Sequence, residues 1–457
     1  MSDEGLQQAR DKMTAEGVDP VAIEVFAHYY RLVESGETGM VPEDTIDPLD
    51  MEALADVDVP DEVAADAIGR TAVVKLNGGL GTSMGLDRAK TLLEVRDGLS
   101  FLDVIARQVL AIRARYGARL PLVFMNSFRT RDDTLAALER YPDLAAAGLP
   151  LDFLQNKEPK LRSDDLTPVE WPADPSLEWC PPGHGDLYTA LRGTGLLDAL
   201  IDAGFTQAFV SNSDNLGAVP DARVAGWFAA SGAPFAIEAV RRTPSDRKGG
   251  HFARRKSDGR IVLRETAQTL PEDAEALADL DRHRFASTNN LWMELRAVKA
   301  ELEARDGILG LSMIRNVKTV DPADPSSPEV IQIETAMGAA IEVFEGSRTI
   351  EVGRDRFVPV KTTNDLLVLR SDCYDLDEDA LLHQVPPEVP FVELDKPYKL
   401  VTGFEERFPG GVPSLKEATS FTVRGDWTFG AGVTVVGEVE VGEDGSSGEV
   451  PAGSRLT

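Results

Sequence analysis

Four strand-like runs, "TAVVKL", "LPLVFMN", "AFVSN" and "FAIEAV", begin at residues 71, 120, 208 and 235, and stretches of helical period such as "FLDVIARQVLAIRARYG" and "RDDTLAALERY" lie between them. Alternation of this kind leaves few folds open. It predicts a mostly parallel sheet covered by helices, because parallel strands need a crossover and a helix is the usual one. Ligands of such sheets sit beyond the carboxyl ends of the strands, so the loops after "VVKL" and "FVSN" are expected to face one crevice.

The first of these loops reads "VVKLNGGLGTSMGLDRAK" from Val73 to Lys90. It is not a P-loop, since Leu86, Asp87, Arg88 and Ala89 separate Gly85 from Lys90. It also misses the dinucleotide fingerprint, because Gly79, Gly81 and Gly85 are spaced G-x-G-x-x-x-G. The physics of both motifs survives. Glycines after a buried strand let backbone N–H groups approach a ligand that a Cβ would exclude.

A chain of 457 residues, 42% of them hydrophobic, can bury a large core and is long enough for two or three domains. Its net charge of −30 repels polyanions, which excludes nucleic acid and acidic membrane as expected partners and makes lysines beside glycine loops informative. "MSDEGLQQAR" lacks the regions of a signal peptide and no apolar run is long enough to span a bilayer, so the expected location is cytoplasmic. Cys180 and Cys373 have no partner motif and read as reduced packing residues.

Three domains are expected. Residues 1–70 form a helical appendage, with a helix over "PVAIEVFAHYYRLVES" and a linker at "GETGMVPEDTIDPLD"; residues 71–395 form the catalytic domain; residues 396–457 form a small β-helix. The last assignment rests on a six-residue period. Phe421, Trp427, Val433 and Val439 form one set and Val423, Phe429, Val435 and Val441 another, with Gly425, Ala431 and Gly437 two residues after members of the second. A stack of hairpins with alternate apolar residues shares that period.

Other loops carry further candidates. In "WCPPGHGDLY", two prolines stiffen a turn in which Gly183 and Gly185 flank His184, a shape able to present backbone groups to a flat ring. Gln155 in "FLQNKEPKL" offers a bidentate amide. "VSNSDNLGA" places Asn212 and Asp214 at a strand end, and one carboxylate suffices for a magnesium ion that draws its other ligands from phosphates and waters. Glu265 and Asn289 suit sugar hydroxyls and Lys361 a second phosphate. No neighbour in sequence orients His184 as a base.

Taken in order, "KLNGGLGTSMG", "PPGHGDLY", "VSNSDNLGA", "TNNLW", "ETAMGAA" and "RFVPVKTTNDLL" resemble the eukaryotic-type UTP:glucose-1-phosphate uridylyltransferase family, the UDP-glucose pyrophosphorylases, from about Pro20 to the C-terminus. The resemblance implies a Rossmann-like nucleotide-binding sheet and a C-terminal left-handed β-helix. It implies UTP and glucose 1-phosphate as substrates and Mg2+ as cofactor, with a UDP-N-acetylglucosamine or broad UDP-sugar pyrophosphorylase as the alternative; separately, the acidic, glycine-rich "GEDGSSGE" after Val441 would blunt the exposed edge of the tail, so a monomer or weak homo-oligomer is expected. By position, Leu76, Asn77, Gly78, Gly79, Gln155 and Gly183 would hold the nucleotide with Asn212 and Asp214; His184, Asn212, Glu265 and Asn289 would hold the sugar phosphate; Asp214 would bind the metal; and Lys90 and Lys361 would be catalytic. Two departures mark this chain. "DRAKT" stands where the family has "GPKS", so Ala89 replaces a proline, and "ASTNNLW" stands where the family has "FNTNNLW", so Ser287 replaces an asparagine.

Overall fold

The computed structural model describes residues 2–146, 148–247, 249–322 and 324–457. Its centre is an eight-stranded sheet of β1 (Glu52–Ala53), β2 (Thr71–Asn77), β3 (Leu122–Asn126), β4 (Asp152–Leu154), β5 (Gln207–Asn212), β6 (Phe235–Arg241), β7 (Phe285–Glu294) and β8 (Arg348–Glu351), in the order β1-β8-β6-β7-β5-β2-β3-β4. Seven strands run parallel, as the alternation predicts. The exception is β7, which lies antiparallel between β5 and β6.

Side chains alternate across the strands and supply both faces with apolar surface. Val73, Phe124, Phe209 and Trp292 share one core with helix α3 (Phe101–Tyr116) and helix α5 (Ala222–Ser231). Val74, Met125, Val210 and Leu291 share the other with α4 (Leu187–Gly193). Helix α3 starts where Ser100 and Asp103 form a reciprocal capping box and stops at Gly117, whose φ of 62° closes the helix in the left-handed region.

At the N-terminus, helices α1 (Ser2–Ala15) and α2 (Pro20–Glu34) pair through Leu6, Ala9 and Met13 on one side and Ile23, Phe26 and Tyr30 on the other, and both pack on Leu161, Ile331 and Ile333. Asp19 caps α2 by accepting the Val21 N–H at 2.8 Å. The stretch read as a linker is structured in part, because Ile46–Pro48 adds an edge strand to His251–Arg255.

The C-terminal strands β9 (Phe391–Leu394), β10 (Ser414–Val423), β11 (Asp426–Phe429), β12 (Thr434–Val441), β13 (Ser447–Val450) and β14 (Arg455–Leu456) form two parallel sheets, β9-β10-β12-β14 and β11-β13. The six-residue period has a direct cause. Phe421 pairs with Val439 and Val423 with Val441, three period steps on, so each pass of the chain buries residues above those of the pass before. Gly425 is needed at a corner where a Cβ would come within 2.2 Å of the Ser446 carbonyl oxygen. The apolar interior of this unit is continuous with the α3 face of the central sheet.

Candidate active site

Strand order reverses direction about β2, with β3 on one side and β5 on the other, and a crevice opens beyond their carboxyl ends. A cavity of about 280 Å³ lies there, lined by Leu76, Asn77, Gly78, Gly79 and Lys90 from the first glycine loop, Gln155 after β4, Gly183 and His184 from the second, and Asn212 and Asp214 after β5. Segments distant in the chain thus meet at one place, as the strand-end rule requires.

Two glycines in this wall are required by close approach. A Cβ on Gly78 would stand 2.6 Å from Gln155 Oε1, so only glycine lets that amide lie against the loop. Gly183 has φ 78° and lies so close to the end of the strand Glu329–Thr335 that a Cβ would meet the Thr335 carbonyl oxygen at 2.5 Å. Ala89 has φ −53° and ψ 126°, a φ that proline would share, so the approach to Lys90 keeps a proline-like path without the ring.

Lys90 donates to Asp214 Oδ2 at 2.7 Å and to the Val360 carbonyl, while the Val360 N–H donates to the Asp214 carbonyl at 3.0 Å. The glycine loop, the loop after β5 and the segment carrying Lys361 are therefore stitched together at one point. Among the described residues no group of three or more His, Cys, Asp or Glu side chains is placed to hold a metal ion. Asp214 Oδ1 makes no protein hydrogen bond in that same set, which fits an ion held by one carboxylate and completed by phosphate oxygens and water.

His184 is held as a neutral ring. Its Nδ1 accepts the Met337 N–H at 3.0 Å, and burial, helped by the charge of Lys361, pushes its pKa down to about 4. The neutral ring then carries its proton on Nε2.

Glu265, Asn289 and Lys361 do not line the glycine-loop cavity itself. They stand on its neighbouring side, where the Lys361 charge acts on both His184 and Glu265. Burial raises the Glu265 carboxyl and Lys361 opposes that rise. Asn289 is reached because β7 is antiparallel, which brings the first half of that strand, not its end, to the crevice. It occupies an irregularity in the β6–β7 ladder with φ 56°, and its buried Oδ1 has no partner among the described residues. Ser287 Oγ accepts the Asn289 N–H at 3.1 Å, so the serine that replaces an asparagine props this turned residue.

The Asn77 side chain is already committed. It donates to Asn126 Oδ1 and Thr134 Oγ1 and accepts from Thr91 Oγ1, each at 2.8 Å, which leaves only its backbone to a ligand.

Sequence reasoning did not find the supports beneath the site. Glu238 and Arg356 form a buried bidentate pair at 2.6 Å, and Asn290 and Trp292 also donate to Glu238. Lys75 donates to Ser211 Oγ at 2.8 Å and to the Ala218 carbonyl at 2.6 Å, bracketing the loop that carries Asp214. Burial, with the nearby Arg356 charge, pushes the Lys75 pKa down to about 7. A lysine inside an otherwise apolar strand is the sequence signal that could have pointed to it.

Glycine loops at a switch point, two lysines and a lone aspartate are what an α/β enzyme acting on nucleotide phosphates presents. The chain belongs to the UTP–glucose-1-phosphate uridylyltransferase family, whose model matches residues 23–436. It is 38% identical over 396 residues to the UTP–glucose-1-phosphate uridylyltransferase of Solanum tuberosum, covering 85% of this chain and 80% of that one. Its identity to the Saccharomyces cerevisiae enzyme of the same description is also 38% over 396 residues, at 85% and 77% coverage. Among solved structures it is similar to the UDP-glucose phosphorylase of Trypanosoma brucei, with TM-score 0.92, 40% identity, and 99% and 98% of the two chains covered. A mutant UDP-glucose pyrophosphorylase of Leishmania major in complex with UDP-glucose gives TM-score 0.92 at 42% identity and the same coverage.

Proposed function

We propose that this chain transfers the uridylyl group of UTP to glucose 1-phosphate, giving UDP-glucose and pyrophosphate. The observation that carries this reading is the meeting of both glycine loops, Lys90 and Asp214 in one cavity at the strand ends. A phosphate oxygen of glucose 1-phosphate attacks the α-phosphorus of UTP, and the bond from that phosphorus to the bridging oxygen of the leaving pyrophosphate breaks. The attacking oxygen is largely deprotonated near neutral pH, so neither a nucleophilic side chain nor a general base is needed.

What must be overcome is repulsion between two anions. Lys90 and Lys361 offset it and fix the line of attack, which is catalysis by positioning and electrostatics. Gln155 and Gly183 read the base against the loop Leu76 to Gly79; His184 donates from Nε2 to the sugar phosphate; Asn212, Glu265 and Asn289 hold the sugar. Asp214 would hold magnesium, which supplies further neutralisation of phosphate charge.

In the finer description of the fold, we take the central sheet as Rossmann-like and the β9–β14 unit as a left-handed β-helix; the parallel pairing and the alternation of the chain between two sheets support this. No helix among the described residues is long and apolar enough to cross a membrane, and we propose a cytoplasmic monomer or weak homo-oligomer that requires neither nucleic acid nor membrane.

The experiment that tests the function is pyrophosphate release from UTP, ATP, CTP and GTP paired with glucose 1-phosphate, galactose 1-phosphate and N-acetylglucosamine 1-phosphate. Turnover concentrated on UTP with glucose 1-phosphate is expected. Comparable kcat/KM for UTP and ATP, or a preference for N-acetylglucosamine 1-phosphate, overturns the assignment of that substrate.

A further inference from the structure

Behind Gln155, on the side away from the glycine loop, lies a buried carboxylate that the reaction above does not use. Asp186 closes the turn His184–Asp186 and is 5% exposed. Its Oδ2 accepts the backbone N–H of Asn156 at 2.6 Å and its Oδ1 accepts Asn156 Nδ2 at 2.8 Å. The Gln155 N–H donates to the Asn126 carbonyl at 2.8 Å, so the peptide carrying Gln155 is pinned at two successive amides, to β3 on one side and to Asp186 on the other. Asp186 belongs to the same turn as Gly183 and His184, with its own N–H donating to the Gly183 carbonyl at 3.3 Å. One carboxylate therefore joins the two walls between which the base is read.

We propose that Asp186 is a positioning residue for the nucleotide: by gripping both donors of Asn156 it sets the spacing of the Gln155 amide from the Gly183 turn. This deepens the nucleotide assignment made above and rests on it.

Packing alone does not hold Asn156 in place. A cavity of about 30 Å³, bordered by Tyr29, Asn156, Glu158 and Asp186, leaves one flank of this segment unfilled. The grip also has a structural cost. Burial pushes the Asp186 carboxyl up to about 7 against the pull of the two Asn156 bonds, Asp19 adds to the rise, and Asp186 in turn raises the buried Glu158. A carboxylate is an acceptor only and matches two donors; an amide at 186 would set an NH2 group against one of them.

The test is steady-state kinetics at about pH 8, above the carboxyl's value, on full-length wild type, Asp186→Asn, Asn156→Ala and the double variant Asn156→Asp/Asp186→Asn. Asp186→Asn is expected to raise the KM for UTP about tenfold or more, with kcat at saturating UTP and the KM for glucose 1-phosphate within about threefold of wild type. Asn156→Ala removes one bond of the two, should raise the UTP KM about fivefold, and decides the matter if Asp186→Asn does not fold. The double variant restores a matched pair, a carboxylate at 156 accepting from an amide at 186, and should return the UTP KM to within about threefold of wild type.

A UTP KM within about twofold of wild type in a folded single variant overturns the proposal. So does an equal loss for both substrates, which marks general damage, and so does a double variant no better than Asp186→Asn. The nucleotide panel on wild type separates the two levels: wild type that uses ATP as well as UTP removes the uridine reading, whereas the clamp is judged on the KM of the nucleotide that is turned over.

Discussion

On the glycine-loop side of the crevice, Asn77 and Lys90 already have protein hydrogen-bond partners. On the opposite side Asn289 Oδ1 is buried without one, and Lys361 Nζ has none among the described residues. The side chains named on the first wall are already bonded within the protein, and those named on the second are not. A buried polar atom without a partner costs about 1–3 kcal/mol. The fold sustains that cost next to the rigid Glu238–Arg356 pair, where a sugar hydroxyl would relieve it.

The sharpest way to break this comparison uses the two lysines. Both Lys90→Ala and Lys361→Ala are expected to lower kcat by about 10²- to 10³-fold, the usual loss for one preorganised electrostatic donor. Their effects on folding should differ. Removing Lys90 strips Asp214 Oδ2 and the Val360 carbonyl of a donor and should cost about 1–2 kcal/mol, which lowers Tm by about 1–2 °C in a chain of this length. Removing the exposed Lys361 should leave Tm unchanged. Calorimetry beside turnover decides it: equal Tm losses would show that the second wall is as internally bonded as the first.

A smaller effect is expected from Gly78→Ala. The three nearest atoms to a Cβ there all belong to the Gln155 amide, at 2.6–2.9 Å, and that end of a flexible side chain can swing away. Folding should therefore be nearly unaffected while the KM for UTP rises about tenfold through loss of the base-reading contact. A lowered Tm with an unchanged KM would show that Gly78 serves the backbone and not Gln155.

Much of the first wall was legible in the sequence because its determinants are local. A buried strand followed by glycines predicts where a backbone opens to a ligand, and "TAVVKL" and "AFVSN" became β2 and β5, neighbours at the switch point. The six-residue period of the tail was legible for a related reason, since a stacked pass buries the same positions as the pass below. What escaped is non-local. Asp186 and Asn156 lie 30 residues apart and Glu238 and Arg356 lie 118 apart, and nothing in either segment names its partner. The antiparallel entry of β7 was also hidden, because strand direction follows from the path of a connection and not from the residues of the strand. That single reversal puts Asn289 into the crevice from mid-strand, and its positive φ could not be read from "TNNLW".

Asn289→Gly would sharpen the comparison from the other side. Glycine adopts a φ near 56° without steric cost, and the substitution removes a buried oxygen that has no partner. Stability without ligand should rise by roughly 1 kcal/mol while the KM for glucose 1-phosphate increases several-fold, the trade expected where a group is kept for its ligand. A destabilised variant would mean that Oδ1 already serves the fold.

The smallest effects concern the titration of two buried groups, one behind each loop system. Asp186 is pushed up to about 7 from 3.8 and Lys75 down to about 7 from 10.5. Between 3.8 and about 7 the folded state holds more protons at Asp186 than the unfolded chain does, so this group makes stability fall as pH rises through that window. Between about 7 and 10.5 the folded state holds fewer protons at Lys75, so this group makes stability rise with pH there. Other carboxylates titrate in the acid window, so differences from variants must be compared. The Tm of wild type minus that of Asp186→Asn should fall from pH 4 to 7 and flatten above; the Tm of wild type minus that of Lys75→Met should be flat below 7 and rise towards 10. A difference for Asp186 that does not change with pH would show that its bonds to Asn156 keep it ionised throughout. A flat difference for Lys75 would show that Glu238 and Asp214 keep its charge in the folded state despite burial, and the loop carrying Asp214 would then rest on a permanent cation.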